Sequence, residues 1–440
     1  MATAVANRVD WTLIWAQRGF RYFFAAMFIS LFGSGMNFVG VSWYILASTH
    51  SPVKVSYQVI VVTLPGLFIP FIGGVLIDRF DRRYLAMLLD LARGTAVLAT
   101  AYLAWRGHLQ LWHLYLMTLI TGVGSAMYWA TVNALIQEVI PPSQYTGASA
   151  AVLVGVQSGM LLAGALVGFV YESVGIAGIL FIDGLSYFVS ALCLFQLRRG
   201  YVSPRKFQRT SRQFSEATEA TAEALSTGEN PEVAEAGLSL AMYSDLREGF
   251  QYLKQQPVVR ALGLTHSILM AGVVSANVVL VALTNDILHA GARGLGFLEA
   301  GWAIGAIIGG LIATQLSEGA RLVLYVSAFA TLAVGHAAAP FVAILVAASL
   351  IQSVFGFCRA FGGVVAQSSL LTIVPRHFMG RTQSAMAVVT TLVQLIMCVA
   401  LGWIAEKAGI IAGYTLLALL YAGATLTAFR VRQLLRTAIP

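Results

Sequence analysis

Apolar runs long enough to cross a bilayer follow one another along almost the whole chain. About 20 apolar residues carry a helix across the hydrocarbon. Runs of that length fall at 20–47, 56–77, 84–105, 110–138, 148–171 and 176–197. After a polar interval they resume at 260–286, 294–316, 321–338, 340–373, 383–405 and 409–430. Lipid offers no partner to backbone N–H and C=O groups, so such runs must be helices. The chain is predicted to be an all-α polytopic membrane protein with twelve transmembrane helices. Only 10% of its 440 residues are charged and 58% are hydrophobic, whereas a water-exposed domain carries roughly 25% charge.

The basic residues are distributed by side. With the amino terminus placed in the cytoplasm, the outer loops hold four of the 27 Lys and Arg residues: Lys54, Arg106, Arg293 and Lys407. Arg93 and Arg359 lie inside spans, and the other 21 fall on the cytoplasmic side. This is the positive-inside pattern. It predicts a cell inner-membrane protein with both termini cytoplasmic. The net charge of +8 therefore reads as orientation, with membrane lipids as partner and no nucleic acid. Cys193, Cys358 and Cys398 all sit in apolar runs, without the paired spacing of a metal site or a disulfide framework.

The polar interval divides the chain. Residues 1–197 form a predicted N-terminal six-helix half and 259–440 a C-terminal one, joined by a cytoplasmic linker over 198–258. The linker opens on a basic block, Arg198 to Arg212, suited to anionic headgroups. Residues 213–239, rich in Glu, Ala, Thr and Ser, lack the large apolar residues a core needs and are predicted to be disordered. Leu246, Phe250 and Leu253 then recur at helical spacing, predicting a short amphipathic surface helix. The halves look like copies: Pro142 precedes Gly147 by five residues at the end of the fourth span, as Pro375 precedes Gly380 at the end of the tenth. Likewise Gly73-Gly-Val-Leu-Ile-Asp closes the second span and Gly309-Gly-Leu-Ile-Ala-Thr the eighth. Internal symmetry of this kind characterises transporters that rock around a midplane site.

The loop after the second span reads Gly74-Val-Leu-Ile-Asp78-Arg79-Phe-Asp81-Arg82-Arg83. It resembles the signature of the major facilitator superfamily, with Asp81 where glycine is usual. Gly164-Ala165-Leu-Val-Gly168 is similar to the family's antiporter glycine motif, with Ala165 in place of proline. Phe181-Ile-Asp183-Gly-Leu-Ser186-Tyr187 and Asp245-Leu-Arg-Glu-Gly-Phe-Gln-Tyr-Leu-Lys-Gln-Gln-Pro257 look like the drug and siderophore exporters related to macrolide-efflux and enterobactin-export proteins. The resemblance implies two pseudo-symmetric six-helix bundles in the major facilitator fold, and a gating role for Gly74, Asp78, Arg79, Arg82 and Arg83. It implies a small-molecule substrate, a monomer, and a proton as coupling ion. However, the arginine that many proton-driven exporters carry in the fourth helix is missing from Gly122-Val-Gly-Ser-Ala-Met-Tyr-Trp129.

Ionisable residues inside a membrane are functional candidates, which selects Asp90, Arg93, Asp183, Glu299 and Arg359 for substrate or ion coupling. Asp90 and Arg93 share one helix face three residues apart and can also neutralise each other structurally. His266 and His336 are read as packing residues. Trp43, Tyr44, Tyr128, Trp129 and Phe361 suit either a cavity or an interfacial belt. Glycines every fourth residue, Gly155/Gly159, Gly164/Gly168 and Gly301/Gly305/Gly309, predict close helix contacts. No nucleophile motif, zinc motif or phosphate-binding loop is present, so neither enzyme activity, catalytic residues, a metal nor a cofactor is expected. The leading expectation is a secondary exporter of an amphiphilic molecule. Import or flipping of a lipid-like substrate or metabolite is the alternative, with a membrane-embedded enzyme the minor one.

Overall fold

A computed structural model describes residues 17–69, 80–140, 144–197 and 246–438. The basic block and acidic tract of the linker, and Gly74, Asp78 and Arg79 of the loop motif, lie outside the described residues. The helices are α1 (Arg18–Thr49), α2 (Pro52–Thr63, carried on past Leu64 to residue 69), α3 (Arg82–Trp105) and α4 (Leu111–Val139). Two helices follow over Tyr145–Gln196, divided at Gly175: α5 (145–174) and α6 (176–196). The second half holds α7 (Pro257–Asp286), α8 (Gly291–Gln315), α9 (Glu318–Ala338), α10 (Leu345–Ile373), α11 (Arg376–Ala408) and α12 (Ile410–Ala438). Residues 246–255 form a short helix ahead of α7.

Local chemistry sets the helix ends. Ser51 caps α2, its side chain accepting from the Lys54 amide, with Pro52 in the first turn where no donor is needed. Asp81 caps α3 by accepting from the Arg83 amide at 3.1 Å. At Gly175, φ is +63° and ψ −170°, a backbone conformation essentially reserved for glycine. That residue turns the chain between two spans that otherwise run together. The ninth and tenth spans are separated by a 3-10 turn, Ala339–Phe341, around Pro340.

Polar contacts define two faces. Tyr115 donates to the Lys54 carbonyl, Ser51 bonds Glu406, and Arg293 pairs with Glu172, so the loops near 51, 110, 173, 291 and 407 share one end, here the distal face. Gln17 bonds Gln144, Arg82 pairs with Glu138 and Arg381 with Glu248, marking the other end as the terminal face.

The repeat is visible in the packing. In the first half α1 packs on α5 and α6, α2 on α4, and α3 on α6. In the second half α7 packs on α11, α8 on α10, and α9 on α12, the same scheme six helices later. The two six-helix bundles then meet through α5 with α8 and α2 with α11. Small residues allow these approaches: a side chain at Gly301, Gly305 or Gly309 would collide with the α10 backbone at Ser349, Ser353 or Phe357.

Candidate functional site

The bundles enclose a cavity of about 320 Å³. Its two walls differ. The first half supplies mainly apolar groups: Leu31, Gly35, Phe38 and Val39 from α1, Val62 from α2, and Met160 and Gly164 from α5, with Ser34 as the polar exception. The second half supplies apolar groups too, Val273, Val274, Ala276 and Leu280 of α7 and Phe355 of α10, but also nearly all the polar ones: Asn277 of α7, Glu299 and Trp302 of α8, His336 of α9, Gln352 and Arg359 of α10, and Tyr414 of α12.

Arg359 is held by its own half. Its Nη2 donates to the Gly272 carbonyl and to Tyr421 Oη, each at 3.0 Å. His336 is 1% exposed and stacks on Phe355 with ring centroids 4.1 Å apart. Its Nδ1 lies 2.7 Å from the Leu332 carbonyl; a carbonyl only accepts, so Nδ1 donates there and Nε2 is the nitrogen left to act. Asn277 Oδ1, Trp302 Nε1 and Arg359 Nε have no hydrogen-bond partner among the described residues, so the protein alone does not satisfy this wall. Glu299 reaches mid-depth because α5 carries Gly164, where a Cβ would sit 3.0 Å from that of Glu299. Gly168, one turn on, admits the Ala292 region of α8. The glycine motif is therefore the seam between the halves.

A second cluster of charge lies in the first half. Asp90 and Arg93 of α3 form an ion pair in which neither is more than 3% exposed. Ser190 of α6 donates to Asp90 at 2.6 Å, and Arg93 Nη1 donates to Ser125 of α4 at 3.1 Å. The guanidinium lies between the rings of Tyr128 and Tyr187, 4.4 and 4.5 Å from their centroids. Asp183 of α6 is fully buried and accepts from Asn37 Nδ2 of α1 at 2.5 Å. Tyr187 Oη and Ser34 Oγ are 2.8 Å apart, which ties this cluster to the cavity wall. A Cβ at Gly124 of α4 would lie 2.7 Å from Arg93 Cγ and Cδ, so the stem of Arg93 packs against α4 from α3.

At the terminal face, Arg82 pairs with Glu138 at the end of α4 at 3.0 Å. Arg83 Nε donates to the Leu194 carbonyl at 2.7 Å, and its Nη2 to that of Phe195. Cations beside the last carbonyls of a helix are favoured by the helix dipole. These two motif arginines therefore bind helix ends within their own bundle.

The structure thus joins Asp90, Arg93 and Asp183 in one cluster and brings Glu299 and Arg359 to one cavity. Neither Trp43, Tyr44, Tyr128, Trp129 nor Phe361 lines that cavity; Phe361 is buried elsewhere and Trp129 is exposed on the bundle surface. The aromatic groups there are Phe38, Trp302, Phe355 and Tyr414. Asn37, Ser34, Asn277 and Gln352 escape sequence reasoning because nothing in their spacing marks uncharged residues as facing a cavity or an ion.

Known proteins agree with this architecture. The family model of the Major Facilitator Superfamily matches residues 23–400. The MFS-type transporter YfiS of Bacillus subtilis is 26% identical over 411 residues, covering 90% of this chain and 88% of its own. The enterobactin exporter EntS of Salmonella typhi is 27% identical over 389 residues, covering 85% and 84%. Among solved structures, the nucleoside transporter NupG superposes with a TM-score of 0.63 at 11% identity, covering 94% of this chain and 98% of its own. A bacterial homologue of the lysosomal transporter Spinster gives 0.61 at 15%, covering 94% and 97%. Family match, paired bundles and a cavity between them coincide: the chain belongs to the major facilitator superfamily of membrane transporters.

Proposed function

We propose that the protein is a secondary active exporter of an amphiphilic small molecule, a drug, siderophore or similar compound, working by alternating access on an ion gradient. The observation that carries this reading is the two-walled cavity: an apolar face on α1 and α5 opposite Glu299, His336, Arg359 and their polar neighbours. Such a site holds a molecule with an apolar body and one polar or charged end. Export is supported by the likeness to EntS and by the exporter-like stretches around Asp183 and Pro257. The charge asymmetry supports placing the terminal face in the cytoplasm of a bacterial inner-membrane protein that acts as a monomer. Gly74, Asp78 and Arg79 are proposed to complete, with Arg82 and Arg83, a gate on that face. The division into halves at 1–197 and 259–440, with 198–258 as linker, belongs to the same reading.

The test is a thermal-shift screen of purified protein against drugs, siderophores and lipids, followed by flux of each hit in proteoliposomes with an imposed pH gradient. Gradient-driven movement away from the terminal face is expected. Movement only towards it identifies an importer, and movement of lipids alone a flippase. Within the cavity, Glu299→Gln and Arg359→Gln should each weaken a hit of opposite charge by about tenfold or more. Hydrogen bonds to charged groups are worth about 1.5–3 kcal/mol, and about 1.4 kcal/mol is one decade. Unchanged affinity in both variants counts against this cavity as the binding site.

A further inference from the structure

The enclosed cluster in the first half contains two carboxylates, Asp90 and Asp183, and one guanidinium, Arg93, with all three residues at most 3% exposed. Arg93 is spent on Asp90 by direct pairing. Asp183 therefore has no ion-pair partner of its own among the described residues. Its Oδ2 accepts from Asn37 and its Oδ1 accepts nothing. The groups facing it are Asp90 and Arg93 from α3, Ser186 and Tyr187 from α6 and the uncharged Asn37 from α1. A third ionised group in so dry a place is strongly disfavoured, and a proton on Oδ1 removes the imbalance.

Space selects a proton over a metal cation. Gly33 of α1 lies so close that a Cβ there would be 2.7 Å from Asp183 Oδ1. A sodium- or calcium-sized ion needs several oxygen ligands at well over 2 Å, and this corner has no room for such a shell. Gly33 directly precedes Ser34, a cavity residue bonded to Tyr187, and Tyr187 stands one helical turn from Asp183.

We propose that Asp183 is the proton-carrying group of this transporter, reached from the central cavity through Ser34 and Tyr187. Its carboxylate takes up one proton on Oδ1 from water on one side and releases it to water on the other when the halves change their arrangement. No other bond is made or broken. The Asp90–Arg93 pair is the fixed counter-charge that keeps the second carboxylate from ionising freely. The proposal rests on the exporter reading, since it names the site at which the ion gradient enters.

An infrared pH titration of the purified full-length chain in detergent, following the carboxylic-acid C=O band, tests it. The wild type should lose a band on alkalinisation that Asp183→Asn lacks, the amide keeping the size of the side chain and its acceptor for Asn37. In Asp90→Asn, Arg93 is freed for Asp183 and the loss should move to lower pH. Identical titrations of wild type and Asp183→Asn overturn the proposal. If Asp183→Asn does not accumulate, an unshifted titration in Asp90→Asn overturns it equally. Ser34→Ala and Tyr187→Phe should keep the band but slow its deuteration several-fold, and deuteration at the wild-type rate removes the cavity as the route. No transported compound enters the measurement. A titrating Asp183 without flux of any amphiphile therefore sinks the export reading alone.

Discussion

Arg93 shows how much of a buried site one residue carries and how much of it sequence spacing reveals. Its pairing with Asp90 is legible from the three-residue interval on one helix face. Its other contacts, with Ser125, Tyr128 and Tyr187 on α4 and α6, depend on which helices pack, and no local pattern encodes that. The same limit hides the Asp183–Asn37 bond, whose partners are 146 residues apart, and the meeting of Glu299 with Arg359 at one cavity. Removing one partner of a buried ion pair leaves an uncompensated charge and costs about 3–5 kcal/mol. Arg93→Met should therefore destabilise the detergent-solubilised protein strongly in thermal unfolding. The double variant Arg93→Met with Asp90→Asn should recover much of that loss. A single variant as stable as wild type would mean that the pair is not buried as described.

Among the elements, glycine spacing is the most readable signal. Gly301, Gly305 and Gly309 mark the contact of α8 with α10, and Gly164 and Gly168 that of α5 with α8. Helix limits are readable to about five residues except at α11, which starts at Arg376 and not near 383, and α12, which runs on to Ala438 and not 430; the end of the second span lies outside the described residues. The fifth and sixth spans are two helices, as read, divided where Gly175 turns the chain out of helical geometry. The tenth begins at Leu345 because Pro340 sits in a separate 3-10 turn. The packing yields a position-specific expectation. Gly305→Val forces a side chain into the Ser353 carbonyl of α10 and should lower stability by more than the roughly 1–3 kcal/mol of ordinary overpacking. Gly310→Val, where nothing lies within 4 Å of the added carbon, should change it little. Melting temperatures of the two variants in detergent decide the matter; equal losses would contradict the described α8–α10 contact.

For the whole molecule, the internal repeat read from proline–glycine and glycine pairs returns as equivalent helix packing in the two bundles. What the sequence could not supply is their relative arrangement. Polar contacts between the halves occur at the distal face, Ser51 with Glu406 and Glu172 with Arg293, and at mid-depth, Gln394 with Thr63. The ion pair is partly exposed, with 36% and 58% of its side-chain surfaces open, and pairs of that kind are worth only about 0.2–1 kcal/mol. A closure held by such contacts is readily reversed, as alternating access requires. The most direct measurement of that claim is the pair of distances across the two faces, read by electron–electron resonance from spin labels. In a chain freed of Cys193, Cys358 and Cys398, labels at Trp105 and Phe341 report the distal face, and labels at Phe80 and Leu371 the terminal face; all four positions are exposed. On adding a transported amphiphile and changing the pH, the distal distance should lengthen while the terminal distance shortens. Distances that stay fixed, or that lengthen together, would contradict alternating access around this cavity.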